Sequence, residues 1–285
     1  MVSINSYNTN VNYYNNTIHS ASKSTNFNAH LPYYNNYYEQ PEEQSPNLGK
    51  TATLAVILQG IAMSLQKVSN WCSTKLMQGK EFTSAENVKK IANKMIKDNS
   101  LNVEVGYIDK NNLRHYTNRF GDALGSQLEI VAEGKNAFYT DQLKLAVAPK
   151  SKPSLILHEL GHAINAHKGK FLKFLQKSRG FASAAPTTLL MLDGLFRNKD
   201  DKPNFIEKNA GILGFLSFVP TIIEEGIASI RGIKAAKNVL GNSANLKALK
   251  RNYLFAWSTY LLAGIGLGVA AKQTFVQNRI EQKIL

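Results

Sequence analysis

The stretch Pro153-Ser154-Leu155-Ile156-Leu157-His158-Glu159-Leu160-Gly161-His162-Ala163 decides how the rest of this chain is read. Pro153 and Ser154 suit the first turn of a helix, and Leu155, Ile156, Leu157, Leu160 and Ala163 supply helix formers and an apolar face. On that helix His158 and His162 are four apart, so both rings point the same way and can hold one Zn²⁺ between them. Glu159 lies beside them, where a carboxylate can take a proton from water as the water attacks a peptide carbonyl, which is the chemistry of a zinc peptidase. With six His and 20 acidic residues in 285, a chance His-Glu-x-x-His is roughly a 1 in 200 event. Gly161 costs about 1 kcal/mol relative to Ala inside a helix, which predicts close approach by a neighbouring helix. The competing account is a core helix whose histidines only hydrogen-bond.

A zinc site of this type needs a third protein ligand. Glu224-Glu225-Gly226-Ile227-Ala228-Ser229 offers one on a helix expected to start near Pro220, because two adjacent acids in apolar surroundings require a partner. The alternative is a pair of acids at a helix N-terminus.

Around these motifs the chain divides into three parts. Residues 1–48 are crowded with Asn and Tyr, as in Tyr33-Tyr34-Asn35-Asn36-Tyr37-Tyr38, and read as a disordered tail, either a solvated linker or a set of tyrosines that engage a partner. Residues 49–250 form the expected catalytic domain, with an apolar helical hairpin at about 180–223, and 251–285 form a C-terminal transmembrane helix and basic tail. In the middle part, Thr51–Leu65 is an uncharged stretch that predicts a buried or membrane-lying helix, short of the roughly 20 residues a span wants. Val88, Ile91, Ala92, Met95 and Ile96 predict an amphipathic helix over 84–98. Three strands are expected: Val103 to Tyr107, Gln127 to Glu133, and Leu143 to Ala148, the last as an exposed edge along which an extended substrate pairs.

Membrane contact is read from three apolar runs. Gly180–Phe196 and Asn209–Ile223, joined by the charged Arg197–Lys208, predict a hairpin that dips into or crosses a bilayer or is buried within the protein; Tyr253–Ala271, flanked by Lys250, Arg251 and Lys272, predicts a span. The formal net charge of +14 belongs to the body rather than to the tail. Such an excess suits an anionic membrane surface, and the chain carries no zinc-finger, homeodomain or RNA-binding pattern, so nucleic acid is not expected. Cys72 is the only cysteine, so no intrachain disulfide forms. That, with an opening that lacks a signal-peptide core, leans toward a cytoplasmic-membrane protein whose active site faces the cytoplasm.

The chain resembles the membrane-embedded gluzincin metallopeptidases of the HtpX and CAAX prenyl endopeptidase type over about residues 84–240. Asn136-Ala137-Phe138 looks like that family's Asn-Ala-Phe, His158–His162 matches its zinc helix, and the intervening hairpin is similar to its membrane helices. Glu225-Gly226-Ile227-Ala228-Ser229 matches its Glu-x-x-Ala-Asp except at the last position. The resemblance implies an α+β, mostly helical fold with a zincin-like core, a small sheet and hydrophobic membrane helices. It also implies one Zn²⁺ per chain held by His158, His162 and Glu225, with Glu159 as general base and Ser229 behind the ligands. Substrates would be proteins or peptides, with membrane-protein quality control favoured over prenyl-protein processing, and lipid would surround the helices. Ser229 can still hydrogen-bond but brings no charge to raise a ligand's basicity. A site-two-type intramembrane protease, with Asp193 of Leu192-Asp193-Gly194 as third ligand, is the rival among enzymes, although Lys150, Lys152, Lys168 and Lys170 flank the zinc helix and disfavour its burial in hydrocarbon. A non-catalytic zinc-binding membrane adaptor is the rival outside them. His167 and His115 are read as surface histidines.

Overall fold

The computed structural model describes residues 48–198, 202–241 and 245–284; the Asn/Tyr-rich segment read as a disordered tail lies outside the described residues up to 47. The element order is α1 (Leu48–Gln78), α2 (Ala85–Asp98), β1 (Glu104–Ile108), α3 (Leu113–Leu124), α4 (Gln127–Ala132), β2 (Phe138–Thr140), β3 (Leu145–Pro149), α5 (Leu155–His167), α6 (Lys170–Phe196), α7 (Phe205–Leu240) and α8 (Leu246–Ile284). The protein is thus mostly helical with one small sheet, as the sequence predicts at that level.

The amphipathic reading of 84–98 matches α2. Ser84 caps it by accepting the Asn87 N–H, and Val88, Ile91, Ala92 and Met95 are buried. The segment Gln127 to Glu133, expected as a strand, is instead the short helix α4. Its buried residues, Leu128 and Val131, stand three apart, which is a helical stripe rather than a strand alternation. Gly134, at φ +81°, follows it.

Leu143 to Ala148 contains β3, but β3 is not an edge. The sheet order is β1-β3-β2, with β1 parallel and β2 antiparallel to β3, so the middle strand has both sides paired. Its composition explains this. Leu145 and Val147 face a core shared with Leu124, Leu128 and Val131, while Ala146 and Ala148 face the core under α5. Apolar residues on both faces mark a buried central strand, and the leucine alternation hid the alanines between. The free edges belong to β1 and β2.

Among the described residues three helices are long and apolar enough to cross a membrane: Lys50–Gln78, Phe205–Leu240 and Leu246–Ile280. The first corrects the short helix expected at Thr51–Leu65, because the helix continues past the uncharged stretch to Gln78. The predicted hairpin is formed by α6 and α7, although in α6 the apolar part is only the shorter Ala185–Phe196. The expected helix start near Pro220 is corrected as well. α7 begins at Phe205, capped by Asn204, which accepts the Glu207 N–H, and Pro220 sits inside it. A proline removes one backbone hydrogen bond, which packing on both sides outweighs here. α8 contains the expected Tyr253–Ala271 run. It meets α7 where small residues oppose one another: a Cβ on Gly268 would stand 2.5 Å from the Gly211 carbonyl oxygen, so only glycine permits that approach.

Candidate metal centre

The start of α5 is held from outside the helix. Glu81 accepts hydrogen bonds from Ser154 N (3.2 Å) and Ser154 Oγ (3.0 Å), replacing a side-chain cap that Ser154 does not make itself. The Tyr253 hydroxyl donates to the Ser154 carbonyl at 2.8 Å. Lys152 Nζ donates to the Gly79 carbonyl, tying the same turn to the end of α1. Along its length α5 lies against α7. A Cβ on Gly161 would collide with the Ala228 carbonyl and stand 2.8 Å from Ala228 Cα, and one on Gly232 would stand 3.1 Å from the Leu157 oxygen. Gly161 is therefore the close approach its helix position implied, and the neighbour is α7.

That crossing brings together three of the anticipated groups. His158 Nε2 and His162 Nε2 are 3.0 Å apart, and Glu225 Oε2 lies 3.1 Å from the first and 3.5 Å from the second. Tetrahedral ligands at zinc distances of about 2.0–2.1 Å stand roughly 3.3–3.4 Å from one another, so the triangle has the size that Zn²⁺ takes. Its chemistry fits too. Glu224 Oε1 lies 2.8 Å from His162 Nδ1, and an ionised carboxylate only accepts, so that nitrogen carries the ring proton and Nε2 presents a lone pair. Ser229 Oγ sits 3.1 Å from His158 Nδ1 and can accept its proton in the same way. Burial first, and then the neighbouring His162, push the His158 imidazole down to about 4, so the ring is neutral near pH 7. Three electron-pair donors then face one another, an arrangement that a cation relieves.

Glu159 is buried, and one of its carboxylate oxygens lies within 4.8 Å of a ring nitrogen of both His158 and His162. Glu224 and Glu225 form a second such group with His162. Asp193 is elsewhere: it pairs with Arg197 at 2.7 Å near the end of α6 and belongs to neither group. His167 faces its own helix, with Nδ1 at 2.8 Å from the Ala163 carbonyl oxygen, and His115 stands against Tyr116.

Several participants were not singled out from the sequence. Glu224, set aside in favour of its neighbour, orients His162. Asn165 donates to Glu224 Oε1 at 2.9 Å and accepts from Arg231 Nε at 2.7 Å. It stands seven residues after His158 on the stripe that carries both histidines, so the helix period alone could have marked it. Arg179, from α6, donates to Glu224 Oε2 at 3.1 Å and also pairs with Glu225 Oε1. With that oxygen engaged, Glu225 presents Oε2 to the histidines. Nothing local in the basic stretch of α6 distinguishes Arg179 from its lysine neighbours.

No family model, curated protein or solved structure matches the chain.

Proposed function

We propose that this chain is a membrane-anchored, zinc-dependent endopeptidase with a zincin-like core, in which His158, His162 and Glu225 bind one Zn²⁺ and Glu159 is the general base. The observation that carries the reading is the triangle of three donor atoms, 3.0–3.5 Å apart, with Glu159 next to it. Zinc, when bound, supplies a Lewis acid that brings the pKa of water toward neutrality.

The chain's own residues account for the rest. Glu224 and Ser229 hold the ring protons at Nδ1 and so aim both Nε2 lone pairs at one point. Arg179 offsets part of the negative charge that Glu224 and Glu225 bring into the interior. Glu159 accepts the proton of the attacking water and later returns it to the leaving amine. An extended substrate would pair with an outer strand rather than with β3, which is enclosed; of these, β2 is itself buried and would have to be uncovered first. Asn136-Ala137-Phe138 leads into that strand. The helices α1, α7 and α8 anchor the protein in lipid, with the site side facing the cytoplasm.

Zinc analysis of the detergent-solubilised protein, wild type beside Glu225→Ala and Asp193→Ala, is the direct test. About one zinc per chain is expected, retained in Asp193→Ala and lost in Glu225→Ala. Equal zinc in wild type and Glu225→Ala, or none in either, overturns the ligand set. Cleavage of an unfolded protein by the wild type, compared with Glu159→Gln, then separates a peptidase from an adaptor that only binds the metal.

A further inference from the structure

Two charged layers on α7 fix where a bilayer fits. At one, Glu207 is buried among Arg197, Lys272 and Arg279; at the other, Glu224 and Glu225 meet Arg179. The rise from Glu207 to Glu224 is roughly 26 Å at 1.5 Å per residue, close to the hydrocarbon thickness of about 30 Å. Asn209–Ile223 between them is uncharged. α6 runs antiparallel alongside, with Arg197 near Glu207, Thr187 Oγ1 at 2.8 Å from Ser217 Oγ, and Arg179 at Glu224. Its first two turns therefore project roughly 3–14 Å past the metal layer, into the depth of lipid headgroups.

Those turns carry an unusual surface. Phe171 and Phe174 are 64% and 63% exposed, although Leu175 and Gln176 beside them are buried. Lys168, Lys170, Lys173 and Lys177 are all exposed, and among the described residues none has a carboxylate within ion-pair reach. At 100° per residue Lys170, Lys173 and Lys177 form one side of the exposed arc and the two phenylalanines the other. Lys75, Lys250 and Arg251 are exposed at the same end of the bundle, where Asn252 donates to the Lys80 carbonyl. Unpaired cations around exposed aromatic rings at this depth match negatively charged headgroups above acyl chains.

We propose that the start of α6 is a binding surface for anionic phospholipid: Lys168, Lys170, Lys173 and Lys177 engage the headgroup phosphates, and Phe171 and Phe174 insert beneath them. The surface holds the metal centre at the bilayer face and does not depend on the centre being a peptidase. The test reconstitutes full-length Phe174→Trp into phosphatidylcholine vesicles doped with brominated phosphatidylglycerol or, at equal mole fraction, with brominated phosphatidylcholine. Trp71 and Trp257 are subtracted with the wild type. The added tryptophan should be quenched more strongly by the brominated phosphatidylglycerol. Adding Lys170→Gln, Lys173→Gln and Lys177→Gln should remove that preference, each lysine being worth about a factor of five. Quenching by neither lipid means the face meets water or protein and overturns the proposal; equal quenching by both, unchanged in the lysine variant, overturns its anionic part.

Discussion

α7 passes through two buried ionic clusters that differ in one respect. Around Glu207 every carboxylate meets a cation: Arg279 holds Glu207 through Nε at 3.1 Å and Nη2 at 2.8 Å, Arg197 pairs with Asp193 at 2.7 Å, and Lys272 donates to the Glu207 carbonyl. Around Glu225 three carboxylates and two imidazoles converge, and Arg179 pairs with Glu224 and Glu225. Among the described residues Glu159 has no cation at all. A cluster whose acids are each matched by a cation ties helices together. One that is short of positive charge, with its electron pairs turned inward, is arranged for a cation.

The largest effect that can break this contrast is at Glu159. Glu159→Gln should leave zinc content unchanged while cleavage falls by about 10²–10⁴-fold, the usual worth of a general base. Loss of zinc in that variant would make Glu159 a ligand and redraw the triangle. At the other cluster, Glu207→Ala removes the carboxylate held by Arg279 Nε and Nη2 and should lower stability by about 3–5 kcal/mol at most, Arg279 keeping its bond to the Asn198 carbonyl. Thermal unfolding in detergent should show a lower transition with zinc content intact; a protein that also loses zinc would mean the two clusters are not independent.

The same contrast explains what the sequence made legible. Both histidines, Glu159 and Glu225 could be read because they fall in contiguous motifs, and Gly161 because a helix tolerates glycine only at a cost that a crossing repays. Arg179 could not be read, since it reaches the site only after α6 folds back along α7, and its pairing depends on a register that no local pattern encodes. The strand order was lost for a related reason. β1 enters beside β3 through α3 and α4, and α4 itself reads as a strand because Leu128, Ile130, Val131 and Ala132 satisfy either period. The length of α7 is hidden by Pro220, a sound local signal for a helix start that tertiary packing overrides.

Glu224 tests the orientation of the site rather than its ligands. Glu224→Gln keeps the size of the side chain but no longer fixes the proton on His162 Nδ1, because an amide can donate as well as accept. Zinc affinity, measured by competition with a chelator, should weaken by about 10–100-fold, the usual consequence of disturbing a partner behind a metal ligand. An unchanged affinity would mean that Glu224 does not set the His162 ring.

Ser229 is the smallest and most discriminating change, because it alters what stands behind His158 without replacing a ligand. Its Oγ lies 3.1 Å from His158 Nδ1 and the residue is buried. Ser229→Ala removes one hydrogen bond to an imidazole and should weaken zinc binding by less than about tenfold, since a neutral bond contributes only about 1 kcal/mol. Ser229→Asp has opposite effects in the two states. Without metal it adds another buried carboxylate to a cluster already short of positive charge, so the protein should unfold at a lower temperature. With zinc the added charge raises the basicity of His158 and is itself compensated, so the gap in stability between zinc-loaded and zinc-free protein should widen. If instead aspartate lowers stability by the same amount in both states, the metal does not sense this position. The cluster around Glu225 would then be a second structural knot like the one at Glu207, and the acid excess would have to be offset by protonation rather than by zinc.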